Sequence, residues 1–237
     1  MKCEVYEDAD SVAQMAAQTI AADARAAVAA RGQFVLAVSG GHTPWIMLRA
    51  LAGEDIPWAG VHLFQTDERV APTGDPDRNL THLRESLLQR APLRQEQIHA
   101  MPVEAEDLQA AAAQYVMALR GVAGSRPVLD LVHLGLGPDG HTASLVPGDD
   151  VLDVIDRDVA ITGVYLGRRR MTLTYPAINR ARRVLWVVTG SEKAEMLRRL
   201  REGDVSIPAG RVRCDEAFVL ADRAAAGQLA AGYKQGG

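Results

Sequence analysis

Residues 129–142 read LDLVHLGLGPDGHT. The first eight are a mostly apolar run of strand length, and the last six are a glycine-flanked turn that carries Asp139 and His141. Three other segments share this design. FVLAV (34–38) runs into SGGHTP (39–44), VHLFQT (61–66) into Asp67, Glu68 and Arg69, and VLWVVT (184–189) into GSEK (190–193). A continuous apolar run suits a strand buried on both faces of a parallel sheet. In open parallel sheets, ligands bind outside the carboxyl ends of the strands. Four such strands lying side by side would bring four polar loops to one cleft.

Helical patterns fill the intervals. Segment 8–31 has Asp8, Asp10 or Ser11 as its cap, a stripe through Val12, Met15, Ala16, Ile20 and Ala24, and Gly32 after its end. Further helices are expected from Pro44 to Ala52, near 79–90, over 104–121 with Gly121 just past the end, and over 191–203. FVLAD (218–222) reads as a last strand before an Ala-rich C-terminal helix. Segments 158–164 and 170–174 are shorter strand candidates, and 145–182 is expected to hold a small excursion from the main sheet. The alternation predicts an α/β protein with a mainly parallel sheet covered on both faces. With no linker, low-complexity tract or internal repeat, residues 1–237 are read as one domain.

At 48% hydrophobic and 24% charged, the chain has the composition of an ordinary globular protein. A net charge of −4 argues against a nucleic-acid binder but leaves room for a small anionic substrate held by local positive charge. Cys3 and Cys214 have neither metal-ligand spacing nor the pattern of a disulfide framework. The opening MKCEVYEDAD is no signal peptide, and no run of about 18 apolar residues exists to span a membrane. The expectation is a soluble cytoplasmic protein with a small-molecule partner, and no membrane, nucleic acid, metal or cofactor.

In SGGHTP, Ser39, Gly40, Gly41 and Thr43 precede a helix start, where backbone amides favour an anion. The same residues also fit a plain strand-to-helix turn. The string is neither a Walker A loop nor GxGxxG, and Ser39 is not in a GxSxG elbow. Arg69 and Lys193 follow strand ends and are candidate phosphate partners, and Arg170 is the best choice within the run 168–170. His141 is the candidate general base, with Asp139 near enough to hold its tautomer. His62, His82, His99 and His133 read as surface or core residues. Asp67 either acts as a second acid/base or orients Arg69, while Glu68 turns elsewhere.

These strings together resemble the 6-phosphogluconolactonase family over nearly the whole length. In order they are SGGHTP (39–44), DERVAPTGDPDRN (67–79), LDLVHLGLGPDGHTASLVPG (129–148), RMTLTYPAIN (170–179), TGSEKAEML (189–197) and IPAGRV (207–212). The resemblance implies a three-layer α/β/α fold with a Rossmann-like sheet, of the glucosamine-6-phosphate deaminase/isomerase type. It implies metal-independent hydrolysis of 6-phospho-D-glucono-1,5-lactone to 6-phosphogluconate in the pentose phosphate pathway. It also implies Arg69 and Lys193 on phosphate with the 39–44 backbone, and His141 as base beside Asp139. His42 stands where the family often has serine, Val146 where phenylalanine is frequent and Phe218 where tryptophan is common. None of these removes a proposed catalytic group. The related deaminases resemble DEY and GHIAFNEP where this chain has DER and GHTASLVP. A sugar-phosphate sensor and a metal-dependent lactonase are the remaining alternatives. A monomer or weak homodimer is expected.

Overall fold

The computed structural model describes residues 1–227. Its strands are β1 (Lys2–Tyr6), β2 (Phe34–Val38), β3 (Val61–Gln65), β4 (Asp67–Arg69), β5 (Ile98–His99), β6 (Leu131–Leu134), β7 (Val159–Ile161), β8 (Arg170–Leu173), β9 (Arg183–Val188) and β10 (Ala217–Asp222). Its helices are α1 (Ala9–Arg31), α2 (His42–Leu51), α3 (Asn79–Leu83), α4 (Leu108–Ala123), α5 (Tyr175–Ile178), α6 (Ala194–Arg201) and α7 (Arg223–Ala226). Seven strands form one sheet in the order β1-β10-β9-β6-β2-β3-β5, with every neighbouring pair parallel.

The apolar runs are buried on both faces, as their continuity predicts. Phe34, Leu36 and Val38 enter the core under α1 and α2, while Val35 and Ala37 enter the opposite core with Tyr115 and Trp186. Helix α1 begins where the Asp8 carboxylate accepts the Ser11 N–H at 2.8 Å, satisfying one of the orphan donors of its first turn. Its buried face is mostly alanine with Val12 and Ile20, which lets the helix lie close on α2 and the sheet.

The 145–182 excursion exists. β7 and β8 pair antiparallel, and β8 also pairs with β4, giving a small sheet in the order β4-β8-β7. Asp67–Arg69 is therefore a strand rather than a loop, because β8 supplies its ladder partners. β1 was not anticipated: KCEVY shows only weak alternation and sits at the sheet edge against β10. The helix expected over 104–121 runs from Leu108 to Ala123, because Asp107 caps it by accepting from the N–H groups of Gln109 and Ala110. The helix near 79–90 is α3 continued by a π-helical turn at Arg84–Leu88. The Ala-rich C-terminal helix is seen as α7, and residues 228–237 lie outside the described residues. No described helix is long and apolar enough to cross a membrane.

The topology places the cleft. After β2 the chain continues to β3 on one side, and it later returns through α4 to β6 on the other. The loops that follow β2 and β6 thus leave in opposite directions between adjacent strands, which is the switch point where doubly wound sheets open a crevice.

Candidate functional site

Two connected chambers lie over this switch point, of about 450 Å³ and about 140 Å³. They share Gly40, Gly135, Leu136 and Lys193. The smaller brings together Asp67, Arg69, Asn79, His141, Arg170 and Lys193. The larger runs along the start of α2 and the turn after β9.

His141 and Asp139 sit in the turn after β6. The Asp139 Oδ1 accepts from His141 Nδ1 at 2.6 Å and from the His141 backbone N–H at 3.2 Å. This engages Nδ1 and leaves Nε2 as the ring nitrogen for chemistry. The imidazole lies against Gly137, where an added Cβ would stand 2.1 Å from Nδ1, so only glycine fits. Burial raises the Asp139 carboxyl, but the charge of His141 and hydrogen bonds from His141 and Tyr165 outweigh it and hold the group below the usual aspartate value.

Arg69 and Arg170 come from β4 and β8, directly opposite in the antiparallel register. Arg170 is 6% exposed, and its Nε has no hydrogen-bond partner among the described residues. Burial and the adjacent Arg69 charge both press its pKa below the ordinary arginine value. Two like charges beside an unpartnered buried donor suit an anion that is shared between them.

The wall beneath them is fixed by Glu68. Its carboxylate is fully buried and accepts from the N–H groups of Arg69, Asn79 and Leu80, each at 2.8 Å. Arg78 pairs with it at 3.2 Å. Glu68 therefore turns away from the cleft, as expected, and anchors the start of α3. Asn79 then donates to the Asp67 carbonyl at 3.0 Å, and its Oδ1 accepts from Arg69 Nη1. Asp67 itself is 5% exposed, and its Oδ2 accepts from Ser144 Oγ at 2.6 Å. The guanidinium of Arg69 binds Asn79 and the Asp77 carbonyl rather than Asp67, so Asn79 takes the orienting place considered for Asp67.

At the end of β2, Ser39 borders the small chamber, with its N–H and hydroxyl both engaged by the scaffold. Its N–H donates to His133 Nδ1 at 3.2 Å, and its hydroxyl donates to the His133 carbonyl at 3.0 Å. The available part of SGGHTP is therefore Gly40, Gly41 and the first-turn amides of α2, which have no helical acceptor. Gly40 is required by close approach, since a Cβ there would overlap the Asn79 carboxamide. Thr43 Oγ1 hydrogen-bonds Thr189 Oγ1 at 2.6 Å and ties α2 to the turn after β9. That turn carries Lys193 to the junction of the chambers, and Asp222 holds it by accepting from the Gly190 N–H at 3.1 Å.

Asn79 and Tyr165 were missed in the sequence. Asn79 closes the DPDRN string and could have been found there. Tyr165 has no local signal, because its contacts with Asp139 and His141 are made to a distant part of the chain. Arg168 binds Asp75 and Asp77 and is structural, which leaves Arg170 as the cleft member of its run. His133 is core, His62 and His99 contact each other, and His82 stacks on Trp45. Among the described residues, no group of three or more His, Cys, Asp or Glu is placed to hold a metal.

Residues 7–220 match the family described as glucosamine-6-phosphate isomerases/6-phosphogluconolactonase. A 6-phosphogluconolactonase of Nostoc sp. is 34% identical, over 95% of this chain and 97% of its own. The crystal structure of a 6-phosphogluconolactonase from Thermotoga maritima aligns with a TM-score of 0.83 at 27% identity, covering 93% of this chain and 98% of that one. A monomeric glucosamine-6-phosphate deaminase aligns nearly as well, with a TM-score of 0.82 at 21% identity over 95% and 99% of the two chains. At that identity the likeness is one of fold alone, so the fold does not choose between the two reactions.

Proposed function

The chain belongs to the glucosamine-6-phosphate isomerase/6-phosphogluconolactonase family, and we propose that its cleft hydrolyses 6-phospho-D-glucono-1,5-lactone to 6-phospho-D-gluconate in the oxidative pentose phosphate pathway. One observation carries the assignment of the site. A carboxylate-oriented histidine and three cationic side chains line a single small chamber.

In this reading, phosphate lies among Arg69, Arg170, Lys193 and the Gly40–Thr43 backbone. Charge-assisted hydrogen bonds there fix the lactone ring relative to His141. His141 Nε2 takes a proton from water as the water oxygen bonds to C1. Backbone amides of the glycine-rich loops face the oxyanion that develops on the carbonyl oxygen. The tetrahedral intermediate then collapses: the bond from C1 to the ring oxygen breaks, and the imidazolium returns its proton to that oxygen. Asp139 holds His141 in the tautomer with the proton on Nδ1. Asp67, bound to Ser144 and Asn79, shapes the floor and balances the charge of Arg170.

We further place the whole chain in the cytoplasm as one catalytic domain, monomeric or weakly dimeric, acting on a small phosphosugar and not on nucleic acid. The acidic net charge of −4 supports a partner other than nucleic acid.

The test is a rapid assay with freshly prepared lactone. Wild type should accelerate hydrolysis, and His141→Ala should lose mainly turnover. Wild-type turnover by His141→Ala would sink the assignment. Clear release of ammonia from glucosamine 6-phosphate would favour the deaminase reaction instead.

A further inference from the structure

We propose that Tyr165 is a positioning residue that joins the Asp139–His141 pair to the anion end of the cleft. Its hydroxyl donates to Asp139 Oδ2 at 3.0 Å, while Oδ1 of the same carboxylate accepts from His141. Both oxygens are thus engaged, and the plane of the carboxylate is set from two sides. The Tyr165 ring meets the His141 ring edge to face, with centroids 5.6 Å apart. The guanidinium carbon of Arg170 lies 4.9 Å from the Tyr165 ring centroid. A single aromatic side chain therefore touches the orienting acid, the base and the buried arginine.

The backbone around Tyr165 supports this placement. Tyr165 and Arg168 exchange N–H···O hydrogen bonds of 3.0 and 3.3 Å around a two-residue turn, Leu166-Gly167. Both turn residues have positive φ, +50° and +79°, as a type I′ hairpin requires. Leu166 adopts this conformation although 80% exposed, so packing does not account for it. Arg168 then binds Asp75 at 3.0 Å and Asp77 at 2.9 Å, fastening the hairpin to the loop whose Asp77 carbonyl accepts from Arg69. Burial and the neighbouring carboxylate raise the Tyr165 phenol above its ordinary value, so it remains a donor at neutral pH. Binding an anion at Arg170 would thereby steady the ring that holds Asp139.

The inference rests on His141 as base and Arg170 as phosphate partner, and the test separates the two levels. Steady-state kinetics with the lactone, inhibition by inorganic phosphate and thermal denaturation are compared for wild type, Tyr165→Phe, Tyr165→Leu and His141→Ala. Tyr165→Phe keeps the ring and loses the hydroxyl. It should lower kcat by about tenfold with KM within twofold, the effect of one hydrogen bond to a charged group. Tyr165→Leu loses the ring as well, and should also raise KM and the phosphate inhibition constant several-fold. Wild-type kcat in Tyr165→Phe, with His141→Ala inactive, overturns the coupling and leaves the base in place. Equal losses in kcat and KM in both variants, with a lowered melting temperature, assign Tyr165 a structural role and also overturn it. An active His141→Ala protein removes the base and this inference together.

Discussion

Arg69 and Arg170 stand directly opposite each other in the antiparallel β4–β8 pair, and both line the chamber that holds His141. Like charges at such a position destabilise a sheet unless something lies between them. Inorganic phosphate should therefore raise the melting temperature of the wild type. At a hundred times its dissociation constant the gain is about 2.7 kcal/mol. Arg170→Met should be at least as stable as wild type without phosphate, gain little from it, and lose roughly 10- to 100-fold in kcat/KM. Undiminished stabilisation of Arg170→Met by phosphate would place the anion elsewhere.

Asp139→Asn preserves the shape of the turn but reverses the hydrogen-bond logic at Nδ1. The amide either donates to the imidazole, favouring the wrong tautomer, or holds it without charge. Turnover should fall by about 10²- to 10⁴-fold with KM nearly unchanged. A rise in KM as the main effect would show that Asp139 binds substrate instead.

Gly137→Ala tests placement alone. The new methyl would overlap the His141 ring, so the imidazole must leave its present place, where Nδ1 meets Asp139. We expect a large loss of kcat in a protein whose circular dichroism matches wild type. Full activity would mean that the ring can act from another position.

Glu68→Gln addresses the scaffold. The glutamine presents an NH₂ group to donors that now face carboxylate oxygen, and it removes the buried partner of Arg78, leaving that charge only the half-exposed Glu104. Breaking such a pair costs about 3–5 kcal/mol. Urea denaturation should show a loss of this order, and a loss below about 1 kcal/mol would refute the anchoring role.

Acid should weaken the fold through His133. Burial holds its pKa down to about 3, whereas an unfolded histidine titrates near 6.5. Between those values only the unfolded chain takes up this proton, so stability falls as pH drops from 6.5 towards 3. The contribution approaches about 1.4 kcal/mol per pH unit for one proton. His99, with a pKa lowered to about 4 by burial and by neighbouring His62, acts in the same direction. The Asp139 carboxyl, held below its ordinary value, adds stability above the unfolded aspartate pKa that is lost as pH falls through its folded value. His133→Asn keeps an acceptor for the Ser39 N–H but does not titrate. Its stability measured at pH 7, 6 and 5 should be lower at neutral pH and less pH-dependent, and an unchanged slope would clear His133 of this role.

Much of the architecture was legible because the signals were local. The run FVLAV became a strand at the predicted residues, and α1 began and ended at Asp8 and Gly32. β1 escaped notice because an edge strand needs apolar side chains on only part of its surface. The DER segment looked like a loop because its partner, β8, lies about a hundred residues later in the chain.

The sequence by itself determined the strand-helix alternation, the polar loops at the strand ends and the candidate base, because hydrophobic periodicity and turn chemistry act over a few residues. Only the tertiary structure decided which polar groups face the cleft. The polar atoms of Ser39 and Glu68 are engaged within the scaffold, while Asn79 and Arg170 line the small chamber and Tyr165 holds the Asp139 carboxylate. Hydrogen-bond partners and burial depend on residues far apart in the chain, and no local pattern encodes them.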